Sequence, residues 1–143
     1  MLKSIPPILS PDLLYVLRAM GHGDEIAIVD ANYPADSAGP ELVRLDGLSA
    51  TDVLDAVLTL MPLDSFVDIA AFCMQVVGEA SRREPIMDEF EAIITRNEPG
   101  FTLGSIERFA FYDRVRTAYA IVQTGERRLY GNVLLKKGIV PPS

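Results

Sequence analysis

A chain of 143 residues, 49% hydrophobic and with a mean hydropathy of +0.21, can bury the core of one domain without staples. No apolar run in it approaches the roughly 20 residues that span a bilayer. The net charge of −7, with basic pairs only at Arg82-Arg83, Arg127-Arg128 and Lys136-Lys137, argues against nucleic acid or an anionic membrane surface as partner.

The first helix is signalled by Ser10-Pro11-Asp12: a capping hydroxyl, a proline in the first turn and an acid near the positive end of the dipole. Leu13, Leu14, Leu17 and Met20 keep helical spacing, and Gly21 stops it. Residues 25–30 (EIAIVD) read as a buried strand, and 32–40, rich in Pro, Asn, Asp and Gly, as loop. Leu42 to Leu45 predicts a short strand before the turn Asp46-Gly47. A helix starts at Ser49, with Asp52 in the reciprocal capping position, and ends before Pro62. Residues 72–77 predict a strand and 87–96 a helix. Ser105 is expected to cap a helix running to about Thr117, and 118–123 and 129–136 predict two last strands. Alternating helices and strands define an α/β fold with a largely parallel sheet in a single domain, 1–143.

Cys73, the one cysteine, lies in the apolar run Ala70–Met74 and reads as a buried thiol. Residues 1–7 lack the apolar stretch of a signal peptide, so a cytoplasmic protein is expected. The apolar surplus predicts subunit contacts.

The sequence carries no glycine-rich phosphate cradle, no Gly-x-Ser-x-Gly elbow and too few His and Cys for a transition-metal centre, so no cofactor or metal is expected. What remains is polar residues at element ends. His22, the only histidine, sits in Gly21-His22-Gly23-Asp24-Glu25, which suggests an exposed, mobile turn; it is the one side chain that trades protons near neutrality. Asp30 ends a buried strand, where ligands of open α/β sheets bind. Arg108 follows a helix start, and Tyr130-Gly131-Asn132 opens an apolar strand. Singly, each has a plain structural reading: a solvated turn histidine, a capping aspartate, a surface arginine paired to an acid, a turn into a strand. Together they suit proton transfer on an uncharged, hydroxyl-rich ligand.

The stretches ILSPDLL and MGHGDEIAIVDANYPA near the N-terminus, and IERFAFYDRVRTAYAIVQTGERRLYGNVLLKKGIV near the C-terminus, resemble the RbsD/FucU family of sugar mutarotases, and more its L-fucose branch. The ribose branch typically has His-Thr-Asp and Tyr-Ala-Asn where this chain has His22-Gly23-Asp24 and Tyr130-Gly131-Asn132. The middle, roughly 62–103, is looser. The resemblance implies a three-layer α/β/α fold with a mostly parallel mixed sheet. It implies His22 as proton donor, and Asp30, Arg108, Tyr130, Gly131 and Asn132 as sugar-binding residues. It also implies a ring-shaped homo-oligomer, typically a decamer, with each site shared between neighbouring subunits. The expected reaction is interconversion of the α and β anomers of L-fucose or a related pyranose, with Asp30 orienting either the imidazole or the sugar. Pyranose–furanose exchange by a pyranase and non-catalytic sugar binding are the alternatives. The residues do not decide whether Tyr112 or Tyr119 reaches the site; Tyr112 reads as a core-edge phenol.

Overall fold

Apolar side chains alternate across one central sheet, and that alternation builds the architecture. In a computed structural model describing residues 1–143, β1 (Glu25–Val29) sends Ile26 and Ile28 to one face and Ala27 and Val29 to the other. Both faces are covered, which is why the strand reads as a continuous apolar run. The six strands are ordered β2-β5-β1-β6-β3-β4, with β2 at Glu41–Leu45, β3 at Ala71–Met74, β4 at Gly104–Ile106, β5 at Ala120–Thr124 and β6 at Val133–Lys136. β5 runs parallel to β1 and β2, and β3 parallel to β4; β6 lies antiparallel between β1 and β3. The sheet is therefore mixed and mostly parallel, as expected.

Helices α1 (Pro11–Ala19), α3 (Ala50–Leu58) and α4 (Pro85–Asn97) pack on one face around a core of 30 buried residues. The short α2 (Ala35–Ala38) and α5 (Arg108–Arg116) cover the other face over a core of nine, so the two cores make three layers. Ser10 and Ser49 cap α1 and α3 as predicted, each accepting a backbone N–H three residues on. Cys73 is buried. No helix is long and apolar enough to cross a membrane.

Four expectations change. Ser105 does not cap a helix: it pairs with Cys73 in β4, and α5 is capped by Glu107, whose carboxylate accepts from Phe109 and Ala110 N–H. Sheet pairing outcompetes a hydroxyl cap where a carboxylate two residues on can take the same orphan donors. The strand predicted over 72–77 occupies Ala71–Met74 and gives way to a turn at Gly78, whose φ is +74°. The strand predicted over 129–136 begins only at Val133, because Tyr130 adopts φ +62° and cannot continue a ladder. The loop over 32–40 contains α2. Phe66, Val67, Ile69, Val77, Phe109, Leu129 and Val140 remain exposed, so part of the apolar surplus stays on the surface of the single chain.

Candidate functional site

The carboxyl end of β1 delivers Asp30 to the point where the sheet changes direction, between parallel β5 and antiparallel β6. Open α/β sheets place ligands beyond strand ends at such points. Asp30 is 5% exposed and locked from several sides. Its N–H donates to Asn132 Oδ1 at 2.9 Å, its Oδ1 accepts from Asn32 N–H at 3.0 Å, and its carbonyl accepts from Gln123 Nε2 at 2.8 Å. Burial pushes its carboxyl above the ordinary range, against hydrogen bonds from Asn32 N–H, the Asn132 amide and the Gly131 and Tyr33 N–H groups that pull it down.

Around this carboxylate lies a cleft of about 200 Å³. Its polar wall is Asp30, Asn32, Arg108, Tyr130 and Asn132; its apolar and aromatic wall is Tyr33, Met74, Val77, Tyr112 and Leu129. Arg108, the first residue of α5, is not the surface ion pair of the plain reading: its guanidinium lies over the Phe109 ring at 4.5 Å, and its Nε is buried with no hydrogen-bond partner. The Tyr33 hydroxyl is likewise buried and unpartnered, and burial drives its phenol far up. Two orphaned polar atoms at one cleft are costly in a finished fold and mark a place where something else supplies the partner. Tyr130, held at positive φ, accepts Val77 N–H on its hydroxyl at 3.1 Å, which leaves its own proton to donate. Strain of this kind collects at binding sites.

Gly131 does not line the cleft. A Cβ there would stand 2.8 Å from Glu126 Cγ and 3.2 Å from the Arg128 carbonyl; the glycine lets the turn close on Glu126 between Tyr130 and Asn132, which do line the cleft. Tyr112, read as a core-edge phenol, packs against Tyr33 (ring centroids 5.2 Å apart) and also reaches the cleft. Tyr119 does not: it precedes β5 and donates its N–H to the Glu25 carbonyl at the opposite end of β1.

His22 is also at that opposite end. β1 alone spans roughly 17 Å at about 3.3 Å per residue, so one chain does not bring His22 to the Asp30 cleft. The turn is tied rather than loose: Gly23, at φ +88°, donates its N–H to the Lys137 carbonyl at 2.8 Å, and Gly21 N–H bonds Asp24 Oδ2. His22 Nε2 lies 2.9 Å from Asp64 Oδ1. The carboxylate that touches the imidazole is thus Asp64; Asp30, expected to orient either imidazole or sugar, does not reach the imidazole of its own chain. Asp64 escaped the sequence reading because it lies 42 residues from His22 in a stretch without periodicity. Asn32, Tyr33, Met74, Val77 and Leu129 were missed too; only Asn32 and Tyr33 carried a signal, as neighbours of Asp30. No three His, Cys, Asp or Glu side chains gather as a metal site.

Fold and cleft together define a small α/β protein with a cleft of mixed polar and aromatic lining at the carboxyl end of β1. The chain belongs to the RbsD / FucU transport protein family, whose model matches residues 3–140. It is 46% identical over 145 residues to the fucose mutarotase of Homo sapiens, covering 97% of this chain and 94% of that protein. Its fold is similar to the crystal structure of the fucose mutarotase in complex with L-fucose from Streptococcus pneumoniae, with a TM-score of 0.92, 45% identity and 98% and 100% of the two chains covered. RbsD of Bacillus subtilis complexed with D-ribose shares the fold with a TM-score of 0.73 at 19% identity, over 99% of this chain and 100% of that one.

Proposed function

We propose that this protein is a sugar mutarotase for L-fucose or a closely related pyranose, with the Asp30 cleft holding the sugar and His22 of a neighbouring subunit moving the proton. The observation that carries the reading is the convergence of Asp30, Tyr130, Asn132 and the unpartnered Arg108 Nε in one cleft, in a chain similar end to end to fucose mutarotases. A carboxylate accepts from two sugar hydroxyls, while guanidinium, phenol and amide donate to others. Met74, Val77 and Leu129 offer an apolar wall suited to the methyl of a 6-deoxy sugar. The volume lies below the roughly 300–1,000 Å³ of drug-sized sites and suits one ring.

Ring opening removes the proton of the anomeric hydroxyl and delivers one to the ring oxygen. The aldehyde turns about C1, and closure on the other face reverses both transfers. General acid–base help of this kind gives about 10²–10⁴-fold, and positioning adds to it. Anomers already exchange slowly in water, so this suffices. Because His22 and Asp30 lie at opposite ends of β1, the site is complete only between copies of the chain, in a ring-shaped homo-oligomer whose contacts would also cover exposed apolar residues.

The separation of His22 from its own cleft favours one competitor, a sugar-binding oligomer without catalysis. Subunit mixing separates the two. His22→Ala and Asp30→Asn variants, each inactive alone, are co-assembled. A shared site restores activity at about a quarter of sites in a random one-to-one mixture, where one chain supplies His22 and the other Asp30. No recovery, with mixed oligomers verified by mass, rules out the shared site. A pyranase is told apart by its product, since furanose signals would then grow in.

A further inference from the structure

The polar wall of the cleft comes from two stretches far apart in sequence, around Asp30 and around Tyr130. One residue outside the cleft, Glu126, is bonded to both stretches. It follows β5, and its carbonyl accepts Ala31 N–H at 2.9 Å. Its N–H donates to Thr124 Oγ1, which donates in turn to the Val29 carbonyl at 2.7 Å. Both chain neighbours of Asp30 are thereby tied to the end of β5. The Glu126 side chain, 6% exposed, takes hold of the turn that follows. Its Oε1 accepts Arg128 N–H at 3.1 Å and Arg128 Nε at 3.0 Å, and its Oε2 accepts Arg128 Nη2 at 3.2 Å. Arg128 Nη1 is bonded to Glu89 on α4. Gly131 closes against Glu126 Cγ and the Arg128 carbonyl. Between Arg128 and Gly131 stands Tyr130 at φ +62°, a posture that a bulky side chain keeps only where its surroundings over-determine it.

We propose that Glu126 is the positioning residue of the sugar cleft, clamping Arg128 so that the turn after it presents Tyr130 and Asn132 to a ligand beside Asp30. The proposal rests on the mutarotase reading above for its ligand, though not for the posture of the turn. A carboxylate offers Arg128 acceptors only. Three donors, one of them main-chain, converge on it and set both the distance and the angle of residue 128 from the end of β5. Two peptide units further on comes Tyr130, whose hydroxyl accepts Val77 N–H at 3.1 Å. Asn132 follows and accepts Asp30 N–H at 2.9 Å. With the clamp gone, Tyr130 can relax out of positive φ, drawing its hydroxyl from Val77 and Asn132 from Asp30. A buried ion pair seldom outdoes apolar packing in stability; what this one supplies is the shape of the turn.

Glu126→Gln keeps the volume and one acceptor but turns an amide N–H₂ on the guanidinium, so the fork cannot form. The variant should bind L-fucose about tenfold more weakly in calorimetric titration, the worth of roughly one hydrogen bond. Its kcat should change less, since the His22 turn lies at the other end of β1. Two further readouts separate positioning from loss of stability. Hydrogen exchange at Val77 N–H, which the Tyr130 hydroxyl accepts, should speed up about tenfold while the amides of β1 and β6 change less; a global loss would speed all of them alike. In a Tyr130→Phe background the affinity lost through Glu126→Gln should shrink to about threefold or less, because the hydroxyl it places is gone. Where Glu126→Gln does not fold, Arg128→Lys, which keeps the charge and not the fork, carries the same tests. A Glu126→Gln protein with wild-type affinity and wild-type Val77 exchange overturns the proposal, and so do losses that simply multiply in the double variant. If the wild type binds no L-fucose, the mutarotase reading falls, while Val77 exchange still decides whether Glu126 holds the turn.

Discussion

Replacing Gly131 by alanine would give this chain the Tyr-Ala-Asn of the ribose branch, yet the surroundings leave no room for the methyl. Its Cβ would lie 2.8 Å from Glu126 Cγ, 3.1 Å from Ile86 Cδ1 and 3.2 Å from the Arg128 carbonyl, against about 3.5–4.0 Å for comfortable carbon contacts. Glu126 is 5% exposed and cannot swing aside freely. Its carboxylate accepts from Arg128 N–H at 3.1 Å, Arg128 Nε at 3.0 Å and Arg128 Nη2 at 3.2 Å, and Arg128 is bonded in turn to Glu89. Burial pushes the Glu126 carboxyl up, but the Arg128 bonds and charge outweigh it and hold the group below its ordinary range. Overpacking costs about 1–3 kcal/mol. The gain from a less flexible unfolded chain offsets about 0.4–1 kcal/mol, since Gly131 is not among the positive-φ glycines. From the middle of each range the net is about 1.3 kcal/mol, a fall in Tm of roughly 3–5 °C at about 2–4 °C per kcal/mol. The shift also displaces the flanking Tyr130 and Asn132, which line the Asp30 cleft, so KM for the sugar should rise several-fold while kcat changes less. Calorimetry and anomer-exchange kinetics on the same preparation read both. An alanine variant with unchanged or higher Tm and wild-type KM would refute the packing argument.

Asp30→Asn should stabilise the protein while destroying sugar binding. Burial raises the Asp30 carboxyl, so the folded state disfavours its charge; that cost is absent below the ordinary value of 3.8, where both states are protonated, and complete above the raised folded-state value. The variant should therefore melt above wild type at neutral pH, with the gain shrinking as pH falls and gone in acid; a variant that melts below wild type at neutral pH contradicts the cause given. Arg108→Lys keeps the charge but loses the buried Nε donor. Sugar affinity should drop about tenfold, the equivalent of one hydrogen bond of about 1–1.5 kcal/mol, and calorimetric titration showing wild-type affinity would remove Arg108 Nε from the site. The same titration on His22→Ala should find near-normal binding in a protein that has lost its catalysis, since the cleft walls are intact in each chain.

The buried strand ending in Asp30 and the hydroxyl caps of α1 and α3 were legible because local chemistry and tertiary demand agree there. Ser105 misled because its hydroxyl is a good cap in isolation, whereas its place is set by pairing with Cys73, some 30 residues away in sequence. The antiparallel direction of β6 left no mark in its apolar run, which reads the same either way. Tyr130-Gly131-Asn132 was visible as a polar opening to a strand, but its task of holding Asp30 depends on a contact 102 residues apart in sequence. His22 and Asp30 were both singled out, and counting the extended residues between them already separates them. What counting could not supply was Asp64, which lies in a loop whose only signature is three-dimensional.

The most direct test is saturation transfer between the α and β anomeric protons of L-fucose, with wild-type protein and with His22→Ala. The account predicts exchange that speeds up with the wild type and falls about 10²–10⁴-fold in the variant while the sugar still binds. Exchange that stays at the rate in water with the wild type, for L-fucose and then for ribose, galactose and rhamnose, would contradict it.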